Sequence, residues 1–166
     1  MDILISSNLE RLLYHVSGSS EKVAAWMQQL AETGVYTVDA DTLAKIQESF
    51  SAGCADDAAS FTEIKARFAE DNYLCDTHTA VAFRVAKDLG TETPMAVLST
   101  ASPFKFPRDV LTALGEDAPA SDFAAMAALT AATDAPAPES LRVLDTLPVR
   151  FTAAIDPADI RAAALR

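Results

Sequence analysis

The sequence predicts a helix-rich α/β fold with few, parallel strands. Apolar residues recur at spacings of three and four along most of the chain, the period of helices with one buried face. Most of these stretches open on Ser or Asp and close on Gly, the residues that satisfy helix ends. Against them stand two short apolar runs, Asp2-Ile3-Leu4-Ile5 and Pro94-Met95-Ala96-Val97-Leu98. The second is continuously apolar, as in a parallel strand buried on both faces. Two strands make a poor sheet for so many helices, so the missing strands are expected in sequence beyond these 166 residues. The chain reads as if it begins in mid-structure.

Taken in order, Asp2–Ile5 predicts a strand at 2–6, and Ser6-Ser7-Asn8 supplies capping side chains for a helix carrying Leu9, Leu12, Leu13 and Val16, stopped by Gly18. A second helix runs from Ser20 with Val23, Trp26, Met27 and Leu30 on one face and Gly34 after it. Asp41 is the expected cap of a third, with Leu43, Ile46 and Phe50, and Phe50–Ala55 reads as a short extended stretch. Asp56 and Asp57 open a fourth helix with Phe61, Ile64 and Phe68. Asp76 or Thr77 caps a fifth, through Val81, Phe83, Val85 and Leu89 to Gly90. After the apolar run 94–98 and the loop Ala101–Pro107, a helix begins near Arg108 and ends at Gly115. Ser121 to Ala132 predicts another, then a linker from Thr133 to Glu139. Asp156-Pro157 opens a last helix toward Arg166. The five glycines all read as helix or turn punctuation, so none marks a phosphate loop.

Composition narrows the function classes. A formal net charge of −11 argues against a nucleic-acid partner, which needs a basic face. Cys54 and Cys75 stand alone, and His15 and His78 are the only histidines, too few clustered ligands for a metal site. Two lone cysteines fit buried thiols in a reducing compartment. No run approaches a membrane span, and Asp2 stands where a signal peptide wants bases. A soluble, cytoplasmic chain is expected.

Ligands of open α/β sheets bind beyond the carboxyl ends of strands. Two such ends carry small polar residues. Ser6, Ser7 and Asn8 are helix caps or a hydrogen-bonding lip around a polar ligand. Ser99-Thr100-Ala101-Ser102-Pro103-Phe104-Lys105-Phe106 brings three hydroxyls and a lysine after the apolar run, and both readings stay open there too. On chemistry alone Lys105, between two phenylalanines, has the apolar flanks of a Schiff-base amine. Lys22, Lys45, Lys65 and Lys87 sit in amphipathic helices and read as solvated. Asp76-Thr77-His78 is a helix cap, or an acid–base or phosphate-contacting group.

Three segments together carry a family resemblance: Asp2 to Leu13, Asp76-Thr77-His78-Thr79-Ala80-Val81-Ala82, and Leu98 to Phe106. In this order and spacing they resemble the C-terminal part of threonine synthase, over about residues 2–115 and more loosely afterwards. The resemblance implies residues 1–115 as the C-terminal part of the catalytic fold of a pyridoxal-phosphate (PLP) enzyme of the tryptophan synthase β group, fold type II. Residues 116–166 would be an Ala/Pro-rich helical tail packed on it. It implies conversion of O-phosphohomoserine and water to threonine and phosphate by a carbon–oxygen lyase with PLP as electron sink. The Schiff-base lysine and phosphate loop of that family lie upstream, so Lys105 loses its claim, and no catalytic residue is expected within this chain. What the resemblance assigns here is a hydroxyl facing the pyridine nitrogen, Thr100, with Ser99 beside it. His78, Asn8 and Ser6 fall on the substrate side. Thr77 stands where the family commonly has proline, and Ser102 where many members have histidine, so no role of that imidazole carries over. The implied partner is the missing N-terminal part of the same enzyme, without which the chain is catalytically incomplete and prone to self-association. Two other readings are a non-catalytic binding or assembly module derived from such an enzyme, and the same region of another PLP enzyme of this fold.

Overall fold

A computed structural model describes residues 5–90, 92–150, 152 and 154–165. The residues fall into two compact units, 1–55 with 85–91, and 56–84 with 92–166.

The first unit is built from α1 (Ser7–Ser17), α2 (Ser20–Thr33) and α3 (Ala40–Gln47). Each helix starts where a side-chain oxygen takes an otherwise orphaned N–H: Ser6 from Leu9, Ser19 from Lys22, Asp39 from Thr42. Asp39, not Asp41, is therefore the cap of α3. Its carboxylate also accepts the Thr42 hydroxyl at 3.0 Å and pairs with Lys22 at 2.9 Å, partners that Asp41 lacks because it already lies inside the helix. Gly18 and Gly34 end α1 and α2 with φ of +66° and +78°, a conformation that a Cβ disfavours. Leu13, Val23 and Trp26 form the buried core, with Met27, Tyr36, Val38 and Ile46 packed around them. Phe50 falls beyond α3 and is 52% exposed. Gly53 is not turn punctuation. A Cβ there would lie 2.7 Å from Cγ1 of Val85, so it is a point of close backbone approach.

The second unit contains α4 (Asp57–Asp71), most of α5 (Thr77–Leu89), α6 (Pro107–Leu114) and α7 (Asp122–Thr133), followed by the short α8 (Glu139–Arg142) and α9 (Ile160–Ala164). Its core joins Ile64 of α4, Ala80 of α5, Val110 and Leu111 of α6, and Ala125 and Leu129 of α7. α6 packs between α4 and α7, which explains why its short amphipathic sequence carries four buried residues. Arg67 ties α4 together through Glu63, Glu70 and Asp71 and lies over the Phe83 ring of α5. Its Nε is 3.0 Å from Glu63 yet off the N–H axis, so that contact is coulombic rather than a hydrogen bond. Asn72 ends α4 at φ +52°, using the tolerance of asparagine for the left-handed region.

The strand expectations fare differently. Asp2–Leu4 lie outside the described residues, and Ile5 is unpaired and 68% exposed. Residues 94–98 are not a strand, and neither is Phe50–Ala55. Met95 is 47% and Leu98 75% exposed, the opposite of a run buried on both faces. A strand exists only through hydrogen bonds to a neighbour, and no strand is present among the described residues to provide them. The α/β expectation is thus corrected to helix-rich, without a sheet among those residues. The last expected helix is a 3-10 turn, Pro157–Asp159, running into α9. No helix among the described residues is long and apolar enough to cross a membrane.

Candidate functional site

The second unit contains most of the candidate residues, Asp76 and His78 at the start of α5 among them. Asp76 is fully buried and caps the helix. Its carboxylate accepts the backbone N–H of His78 at 2.9 Å, that of Thr79 at 3.2 Å, and the Thr79 hydroxyl. Thr79 is itself 1% exposed. A carboxylate receiving two backbone donors and a hydroxyl at a positive helix end is well compensated for burial. The adjacent Cys75 thiol is pushed up to about 11, by burial first and then by the charge of Asp76.

His78 occupies the second position of α5, half-buried, and its ring meets that of Phe106 edge-on, 5.3 Å between centroids at 75°. Phe106 closes a 3-10 turn, Pro103–Lys105, whose cap is Ser102: its hydroxyl takes the N–H of Phe104 at 3.3 Å. Phe104 is buried in the core and anchors the turn. Lys105 points outward, its ammonium 5.9 Å from the Phe106 centroid, and is exposed. The loop 99–106 is therefore pinned at Phe104 by packing and at Phe106 by His78. Ser99 and Thr100 open that loop, both exposed, and the Thr100 hydroxyl has no hydrogen-bond partner among the described residues.

Ser6 and Asn8 belong to the first unit. Ser6 is occupied as a cap, accepting from Leu9 at 3.4 Å, and the Asn8 carbonyl accepts from Arg11. Nearby, an open groove of about 430 Å³ is lined by Ser7, Glu10, Arg11 and Tyr14 of α1 and by Ser20 and Val23 of α2. No group of three or more metal-ligating side chains occurs among the described residues.

The structure adds Thr79 and Phe106 to the residues singled out from sequence. Thr79 was legible in the Asp-x-x-Thr spacing, which Asp39 and Thr42 repeat. Phe106 was not, because its contact with His78 spans residues far apart in the chain.

By themselves these residues define a class: a helix-rich segment presenting a hydroxyl loop beside a capped helix start. They fit one part of a PLP site and not another. The free hydroxyl of Thr100 suits a ring nitrogen, whereas all five lysines are exposed, unlike a cofactor-bearing amine. Comparison with known proteins makes the class particular. The family described as threonine synthase, C-terminal, matches residues 79–163. The chain belongs to the threonine synthase family. It is 32% identical to threonine synthase of Pseudomonas aeruginosa over 72% of this chain and 26% of that protein. With the Methylobacillus glycogenes threonine synthase it shares 31% identity over 91% of this chain and 29% of the relative. Among solved structures, PLP-bound threonine synthase from Brucella melitensis superposes with a TM-score of 0.67 at 34% identity, covering 92% of this chain and 30% of the other. The chain thus spans about a quarter of the length of the curated relatives it matches.

Proposed function

We propose that this chain is the C-terminal portion of a threonine synthase and is catalytically incomplete by itself. The assembled enzyme converts O-phosphohomoserine and water to threonine and phosphate. The observation carrying this reading is the coverage: nearly the whole chain aligns with a PLP-bound threonine synthase, yet accounts for less than a third of it. PLP, when bound, supplies the electron sink for loss of the γ-phosphate.

Within that enzyme Thr100 presents its hydroxyl to the pyridine nitrogen, with Ser99 beside it. A hydroxyl can hydrogen-bond this nitrogen without favouring its full protonation as a carboxylate would. His78, Asn8 and Ser6 face the substrate side, and the lysine that carries the cofactor comes from the N-terminal part. That part is also the partner that the exposed run 94–98 requires. Met95 and Leu98 become buried when the run joins the parallel sheet of a tryptophan synthase β-like fold. Residues 1–115 belong to that fold, and 116–166 form its helical tail. Without the N-terminal part, the same apolar run favours self-association, which light scattering would register as a species larger than a monomer. The enzyme works in the cytoplasm on a small phosphorylated amino acid, with no nucleic-acid partner.

The test is the reading frame directly upstream of Met1. A continuation carrying a lysine and a glycine/serine-rich loop is expected, and the longer polypeptide should release phosphate from O-phosphohomoserine only with PLP. The 166-residue chain should release none. Turnover by the short chain, or none by the long one, would reject the proposal. A stop codon directly upstream would favour the non-catalytic module.

A further inference from the structure

Among the described residues six α-helices begin on a capping side chain, and five of those caps are ordinary. Ser6, Asp56 and Ser121 are exposed, while Ser19 and Asp39 are half-buried. Capping of this kind stabilises a helix by about 1 kcal/mol and asks only for a short polar side chain near water. Asp76 departs from the pattern. It is 0% exposed, and the hydroxyl it engages, on Thr79, is buried with it.

The chain contains its own control. Asp39 and Thr42 repeat the Asp-x-x-Thr arrangement, with Thr42 2% exposed, but the Asp39 carboxylate stays 38% exposed and leans on Lys22. Capping alone therefore does not require a buried carboxylate. Burying one costs several kcal/mol before its partners compensate, so a plain serine would cap α5 with less to offset. What a fully enclosed, multiply bonded carboxylate adds is positional definition. The residue it defines is His78, whose backbone N–H it accepts at 2.9 Å and whose ring stands edge-on to Phe106 at the end of the hydroxyl loop.

We infer that Asp76, with Thr79, is a positioning residue: it acts through His78, fixing that imidazole against Phe106 and so registering the start of α5 to the loop 99–106. Its functional consequence rests on the proposed reading of His78 as a substrate-side group. The arrangement itself does not, and can be tested on the 166-residue chain.

The probe is the His78 imidazole in a ¹H–¹³C correlation spectrum. The chain has two histidines, so His15→Gln assigns the signals. Phe106→Leu defines the part of the His78 shift that comes from the Phe106 ring. Asp76→Ser keeps a good cap but is too short to hold both Thr79 and the His78 N–H in the buried geometry. It should retain the helical circular dichroism of the parent and lose most of the Phe106-dependent shift. Thr79→Val, which removes one of the three donors, should lose part of it, and Asp76→Asn, which keeps an acceptor oxygen in place, should preserve most. If Asp76→Ser is folded and the shift is intact, Asp76 is a cap and nothing more. If Asp76→Ser does not fold, Thr79→Val decides: an unchanged shift rejects the inference and a reduced one supports it. Unfolding of both variants would make the pair a stability element and reject the inference equally. None of these outcomes bears on whether the longer polypeptide releases phosphate, so the two proposals fail separately.

Discussion

Ellman's reagent, offered to the folded chain at pH 8, meets two thiols in opposite settings. Cys54 is exposed, and Cys75 is 1% exposed in the core of the second unit. Only the thiolate attacks, and the Cys75 thiol is held at about 11. Roughly one molecule in a thousand then carries that thiolate at pH 8, before any obstruction by Ile64, Ala80 and their neighbours is counted. One equivalent should therefore react first, mapping to Cys54, and the second at least about a hundredfold more slowly, since an ordinary thiol is itself only partly ionised at pH 8. Direct attack on the folded state would speed up about tenfold per pH unit toward the Cys75 value. Attack through opening would instead accelerate with urea and report the opening free energy of the unit. Asp76→Asn removes the second-largest cause of the shift, so it should bring the Cys75 thiol down toward its ordinary 9.0 and shorten the slow phase. Two thiols reacting at similar rates in the native chain would refute both the burial of Cys75 and the core built around it.

Three further outcomes are expected. Asp39 is held at about 2, against an ordinary 3.8, by its hydrogen bond to Lys22 and then by the Thr42 N–H. A depressed carboxylate stabilises from above its unfolded value, so α3 should keep its full cap above about pH 4 and lose it as pH falls toward 2; Lys22→Gln should raise the Asp39 midpoint in an NMR titration. Leu13→Ala should cost about 2–5 kcal/mol in the first unit, whose buried core is Leu13, Val23 and Trp26, as read by Trp26 fluorescence in urea; a loss under 1 kcal/mol would contradict that core. In the longer enzyme Thr100→Val should lower kcat by roughly ten- to a hundredfold with PLP content unchanged, and Ser99→Ala should cost less; the reverse order would remove Thr100 from its proposed role.

The helices were legible because their signals are local. Ser6, Asp56, Ser121, Gly18, Gly34 and Gly115 announce ends that the structure places within a residue or two. The misreadings are instructive in the same terms. Asp39 and Asp41 compete for one cap two residues apart, and what separates them is Lys22, seventeen positions away. The end of α4, by contrast, is not among those read from the sequence, and asparagine, which also tolerates positive φ, closes it at Asn72. Gly53 looked like a turn and is a contact with Val85, which nothing within its own neighbourhood encodes. Core membership was readable at Ile64 and Trp26, but the packing of α6 between α4 and α7 was not.

The run 94–98 and the histidine at 78 show the same division in the site. An apolar pentapeptide raises the expectation that Met95 and Leu98 are buried, but not against what, and a strand cannot supply its own hydrogen-bond partner; both are exposed. Its exposure here departs from the expectation of a run buried on both faces. At His78 the local half of the geometry, the Asp76 cap, follows from residue order. The non-local half, Phe106, follows only once Phe104 is buried and Ser102 has turned the chain. The hydroxyl loop thus takes its position from two residues whose roles are packing and capping. A substitution at Phe104 or Ser102 should disturb the loop that carries Thr100 while leaving the hydroxyls of Ser99 and Thr100, for which a cofactor contact is proposed, in the sequence.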